Sequence, residues 1–306
     1  MKSGADFAEI YAERTRNNSV RFVDGKIDRI NDNFLSGVGI RAFLGTRTIY
    51  ASTADISEAG LLACAQSVSD AMGEGSAQIS IVLTPKAVVD AHPIKINPSS
   101  VDTKVKCDML KSAGFAASEY DERIAQVQGT LADVDHSIMV ANSEGLMVED
   151  RHVRTRIVLT AIASDGTENQ SGFCAPGAGV GLELFEKYDP KWVGAHAAKQ
   201  AITNLSAGYC KAGQMTVAIE NGFGGVIFHE ACGHSLEATS VGTGTSQMCG
   251  KLGQKIANEK VTAIDDGTIA GAWGSVNIEY SINFFARIYD NTAIIVRAVL
   301  FAIFVA

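Results

Sequence analysis

Apolar and polar positions alternate with a period of two through most of the first fifty residues. AEIYAER, VRFVDGKIDRI and GVGIRAFLGTRTIYAST each send successive side chains to opposite faces, the pattern of half-buried strands. Asp24-Gly25 and Gly45-Thr46 supply the turns, so this stretch predicts an antiparallel meander. After Ser57 the period changes. EAGLLACAQSVSDAM repeats its apolar residues at helical spacing, with Ser57 as N-cap and Gly73 as stop. A second helix is expected within VDTKVKCDMLKSAGFAASEYD, beyond the Pro-containing HPIKINPSS. Alternation returns over residues 124–166, broken by a hairpin turn at Glu144-Gly145. A helix over residues 189–207 and a strand at QMTVAIEN follow, and the glycine-rich stretch Gly222 to Gly225 then turns the chain into another helix.

Composition narrows the function classes. The chain has 306 residues, 46% hydrophobic and 20% charged, which describes a soluble globular protein long enough for two domains. A net charge of -8 with scattered basic residues offers no footprint for nucleic acid. The first residues, MKSGADFAEIYAERT, lack the apolar core of a signal peptide, so a cytoplasmic protein is expected. The six cysteines are widely spaced with no CxxC pair, which argues for buried thiols over a disulfide framework.

The candidate chemistry lies in FHEACGHSLEA, where Glu230 follows His229 and His234 comes five residues after it. In the zinc-peptidase pattern H-E-x-x-H a spacing of four puts both imidazoles on one helical face. A spacing of five, at about 100° per residue, turns them roughly 140° apart on a regular helix. A shared metal therefore requires a widened turn of the π type, with Gly233 a place for the backbone to relax. The competing reading needs no distortion: Glu230, His234 and Glu237 fall at i, i+4 and i+7, a polar, ion-paired helix face. Cys232, beside both histidines, is the candidate for a cysteine nucleophile, but no base and oxyanion hole are identifiable for it, and a buried helix residue is the simpler role. His92, His136, His152 and His196 are scattered and read as surface or structural residues. Gly37-Val38-Gly39 lacks the context of a dinucleotide fingerprint, and APGAGVG (175–181) reads as a flexible connector.

GGVIFHEACGHSLEA resembles the signature of the TldD/PmbA family of zinc metallopeptidases, whose active members carry H-E-x-x-x-H. The resemblance extends upstream through DGKIDRINDNFLSGVGIRAFLGTRTIYAST and HSIMVANSEGLMVEDRHVRTRIVLTAIASDGTENQSG, and downstream to GTIAGAWGSVNIE. It implies an α+β fold: an N-terminal α/β domain over residues 1–125, with antiparallel strands and two helices, then a β-rich domain over 126–306 that carries the motif helix. It implies zinc bound by His229 and His234, Glu230 as catalytic base, and hydrolysis of small unfolded proteins or peptides. It also implies a homodimer, or a heterodimer with a motif-lacking homologue; no nucleic-acid or membrane partner is expected, from the charge pattern and the length of the apolar tail. The family's third zinc ligand is a cysteine in a C-terminal segment, and no residue here maps onto it. Cys249 is the one substitute to propose, in the Gly- and Ser-rich TSVGTGTSQMCGKLG. From about Tyr280 the sequence departs from the family, which predicts an incomplete second domain and a truncated or altered reading frame. Residues 292–306 are apolar apart from Arg297, yet shorter than the roughly 20 residues of a membrane-spanning helix. The rival reading is a non-catalytic assembly or binding subunit.

Overall fold

The computed structural model describes residues 4–45, 47–73, 80–88, 90, 92–219, 224–261, 267 and 269–277. The expectations for the chain from Tyr280 onward lie outside these residues. The alternating segments form long strands: β1 (Phe7–Val23), β2 (Lys26–Leu44) and β3 (Arg47–Thr53), followed by helix α1 (Glu58–Met72). Next come β4 (Thr84–Lys86), α2 (Thr103–Ser118), β5 (Ile124–Asn142), β6 (Leu146–Ser164), β7 (Asn169–Cys174) and β8 (Gly177–Ala178). The short helix α3 (Leu184–Lys187) precedes α4 (Pro190–Leu205), and α5 (Gly225–Phe228) and α6 (Ala238–Gly242) flank the motif. One mixed α+β sheet results, in the order β3-β2-β1-β5-β6-β4, with β7 and β8 also paired to β6. All its ladders are antiparallel except that of β4 with β6. The pairing of β1 with β5 carries this sheet continuously across residue 125.

Local chemistry sets the ends of these elements. Asp24 and Gly25 take φ of 42° and 85°, the left-handed pair that a two-residue hairpin demands. Gly145 at φ 90° does the same between β5 and β6, where Asn142 Oδ1 accepts from the amides of Glu144 and Leu146. Ser57 caps α1 by accepting from Gly60 N, and Asp102 and Asp189 cap α2 and α4 in the same way.

Two groups of helices cover one face of the sheet. Alternate residues of β1 and β2 share a face, so the register of Ala12 with Val38 puts Val38, Ile40 and Ala42 on the same side as Val20 and Phe22. Helix α1 buries Cys64, Val68 and Met72 on the first of these sets. Helices α2 and α4 bury Leu110, Ala113, Val193 and Ala197 on the second, together with Leu131, Ile157 and Leu159. A cleft of about 820 Å³ remains, lined by Ala12, Arg14, Phe34, Val38 and Ile56 among others. Glycine lets α2 and α4 touch: a Cβ on Gly194 would collide with the backbone carbonyl of Ala113. Gly194→Ala is therefore expected to lower the melting temperature, because a backbone clash of about 1–3 kcal/mol outweighs the roughly 1 kcal/mol gained in helix propensity. A thermal melt showing a raised midpoint would contradict this packing.

Two segments depart from the sequence pattern. Residues 214–219, where a strand is expected, are not in a strand, and Met215, Val217 and Ile219 stay exposed. Their alternation found no neighbour to pair with among the described residues, and a strand exists only through its ladder. The supposed flexible connector at 175–181 is instead packed. Gly177 and Ala178 pair with β6, Gly179 N donates to Gly271 O at 2.9 Å, and Thr155 Oγ1 donates to Val180 O at 3.0 Å. Glu183 just beyond accepts from the amides of Lys95 and Ile96, and these amide hydrogen bonds hold its carboxyl below the usual range against the upward push of burial.

Strand β2 outruns β3. The ladder to β3 begins at Val38, so among the described residues no strand covers the outer edge of residues 26–37. Ile30, Phe34 and Leu35 are exposed along it. None of the helices among the described residues is long and apolar enough to cross a membrane.

Candidate metal centre

The motif helix starts as an ordinary turn, α5, and changes at His229. Residues His229–Gly233 form a π turn, and the amide of His234 donates to the carbonyl of His229 five residues back. Widening by one residue per turn removes most of the roughly 140° divergence of a regular helix. The two imidazole rings consequently come together, with centroids 4.4 Å apart and planes tilted by 59°. Gly233 itself keeps ordinary helical angles, φ -57° and ψ -55°, so the relaxation is spread over the turn and not concentrated at that glycine.

Glu230 joins the pair. One ligand atom from each of His229, Glu230 and His234 lies within 4.8 Å of the others. Glu230 Oε2 is 3.7 Å from His234 Nε2, and Glu237 Oε1 is 2.6 Å from His234 Nδ1. Thus the ion-paired face read from the i, i+4, i+7 spacing is also present, on the same residues as the converged histidines. The hydrogen bond that His234 donates to Glu237, then the charges of Glu237 and Glu230, raise the pKa of His234 above the ordinary imidazole value. The side chains of Glu230 and His234 are more than half exposed, so the group is open to water and to a substrate.

Neither nearby cysteine belongs to this group. Cys232 is half-buried, and the Cys249 thiol donates to Val241 O at 3.3 Å in the turn after α6. Two imidazoles with one carboxylate are nevertheless the donor types of zinc sites, and their convergence is what a single ion needs.

The other histidines are held in the fold. His136 and His152 face each other across the β5–β6 ladder, His136 beside Glu13 and Tyr11, and His152 Nε2 is 2.9 Å from Asp150 Oδ2. His92 Nδ1 accepts from Gly271 N, while Asn277 donates to Asp150 and Arg154 to the carbonyl of Trp273. These contacts dock residues 269–277 along β6. Sequence reasoning passed over this anchoring, because it depends on which nitrogen or oxygen a side chain presents.

A fold of one large sheet with a solvent-open His-Glu-His group defines a class of candidate metal hydrolases. Comparison with known proteins narrows the class. Models of the PmbA/TldA metallopeptidases match residues 8–71 (domain 1), 96–205 (central domain) and 212–279 (C-terminal domain). This chain belongs to the PmbA/TldD metallopeptidase family. It is 29% identical over 286 residues to a metalloprotease TldD homolog of Haemophilus influenzae, which covers 90% of this chain and 58% of that protein. It is 31% identical over 273 residues to a metalloprotease of Methanothermobacter thermautotrophicus, 89% of this chain and 59% of that one. The chain thus spans somewhat under three fifths of these relatives. Among solved structures, TldE from Thermococcus kodakarensis superposes with a TM-score of 0.63 at 16% identity, over 93% of this chain and 69% of that one. A Thermotoga maritima protein superposes at 0.67 and 22% identity, over 85% and 59%.

Proposed function

We propose that this chain acts as a zinc-dependent peptidase on unfolded peptides or small proteins. The observation that carries this reading is the convergence of His229 and His234 across 4.4 Å through the π turn, with Glu230 between them. His229 and His234 would hold the ion through neutral imidazole nitrogens. When bound, zinc supplies Lewis acidity and makes water a nucleophile near neutral pH. Glu230 accepts the proton of the attacking water at its carboxylate and returns it to the departing amine, base and acid in turn. No side-chain nucleophile is needed, which leaves Cys232 without a role in bond breaking.

The uncovered edge of β2 over residues 26–37 supports an extended polypeptide as the substrate class. Such an edge binds main chain through ladder hydrogen bonds and tolerates varied side chains. The six free cysteines fit a reducing compartment such as the cytoplasm. Likeness to a TldE structure supports a partner of the same fold, either a second copy or a homologue lacking the motif.

Zinc stoichiometry of the purified chain, with cleavage of an unstructured peptide before and after chelation, tests the reading. Held by two imidazoles, with Glu230 kept as base, zinc is expected at well below one per chain with only weak chelator-sensitive cleavage, and both are lost in His234→Ala. A chain that takes up no zinc would favour the non-catalytic assembly subunit. The pH dependence follows from the raised pKa of His234. Proton and metal compete for the same imidazole, so the affinity for zinc weakens as the pH falls below that raised pKa. The weakening should therefore begin at a pH higher than an ordinary histidine, titrating near 6.5, would give. Dissociation constants measured across pH show this directly; an affinity that starts to weaken only below 6.5 would contradict it.

A further inference from the structure

We infer that Glu237 is a positioning residue that holds the proton of His234 on Nδ1 and so presents Nε2, lone pair outward, to the metal. The inference rests on the metallopeptidase reading above. A neutral imidazole carries one proton, and the nitrogen without it is the only one able to ligate. Glu237 Oε1 lies 2.6 Å from Nδ1, and an ionised carboxylate only accepts, so the proton belongs on that nitrogen. Nε2 is then the bare nitrogen. It is also the one 3.7 Å from Glu230 Oε2, on the side where the ligand atoms of His229, Glu230 and His234 gather. Glu237 is not in that group, so it reaches His234 from behind and does not compete for the ion.

The backbone shows why Glu237 can do this. After the π turn the chain tightens into a 3-10 turn over His234–Leu236, in which side chains three residues apart eclipse one another. Glu237 ends that turn with φ -60° and ψ 131°; its amide donates to His234 O and its carbonyl accepts from Val241 N, opening α6. Ser246 Oγ donates to Ser235 O and ties the following loop to the same turn. The change from wide to tight winding thus does two things in succession: it brings His229 to His234, and then Glu237 to the far side of His234. A pair half exposed to water contributes little to folding. Its consequence is the tautomer, and carboxylate-histidine-metal arrangements commonly change metal affinity by about 10–100-fold when the carboxylate is removed.

The test has two readouts on the full chain. Long-range ¹⁵N-¹H NMR of metal-free protein, at a pH where imidazole is neutral, should show His234 protonated at Nδ1, and Glu237→Ala should shift the proton towards Nε2. Competition with a chromophoric chelator should show zinc held about 10–100-fold more weakly by Glu237→Ala. Glu237→Gln, whose amide oxygen still accepts from Nδ1, should keep the tautomer and most of the affinity. If the unsubstituted chain binds zinc but Glu237→Ala leaves either the tautomer or the affinity unmoved, the assignment of Glu237 is overturned. If the unsubstituted chain binds no zinc, the metallopeptidase reading fails, and the ligating role of Nε2 fails with it.

Discussion

Glu230→Gln is expected to lower peptide hydrolysis by about 10²–10⁴-fold, the usual worth of a positioned general base, while leaving bound zinc unchanged. Glutamine keeps the length and shape of the side chain but has no carboxylate to take a proton. The imidazoles of His229 and His234 would still be brought together, centroids 4.4 Å apart, by the backbone of the π turn, which this substitution leaves alone. Glu230 is about two-thirds exposed, so neither burial nor a core contact confuses the comparison. The measurement is kcat on an unstructured peptide beside zinc per chain, in this protein and in a family relative with the same motif. Parallel loss of metal and activity would make Glu230 a ligand and leave the base unassigned.

The second large effect lies far from the motif. Lys106→Met is expected to cost about 3–5 kcal/mol of folding stability, a large share of the roughly 5–15 kcal/mol that holds a domain together. Lys106 projects from α2 into the sheet, where its Nζ lies 2.6 Å from Asp133 Oδ2 and 3.4 Å from Asn18 Oδ1. Both charged side chains are almost fully buried, at 3% and 5% exposure. Burial already pushes the Asp133 carboxyl above its ordinary pKa, against the pull of Lys106, so removing the lysine strands an acid in a nonpolar setting. Urea unfolding of Lys106→Met against the double replacement Lys106→Met, Asp133→Leu separates the causes. The double variant should regain most of the loss, since an apolar pair of similar volume often matches a buried ion pair. A loss below about 1 kcal/mol in the single variant would show that the pair is not the anchor of α2.

Much of the fold is local chemistry and was legible in the chain. The two-residue alternation of β1, β2, β5 and β6, the turns at Asp24-Gly25 and Glu144-Gly145, and the caps at Ser57 and Gly73 each depend on residues a few positions apart. The motif residues were legible too, since residue type and spacing name His229, Glu230 and His234 as the candidate group. Tertiary structure decided what spacing left open. Alternation alone made 214–219 a strand, yet a strand needs a partner ladder, and none is present there among the described residues. Glycines at 179 and 181 suggested slack, but they mark where backbone packs against Ala272 and Ile96 too closely for a side chain. Most of all, five-residue spacing was compatible with diverging or converging histidines. The choice was made by one backbone hydrogen bond, from His234 N to His229 O, because widening a single turn rotates a side chain through more than a right angle while changing no residue.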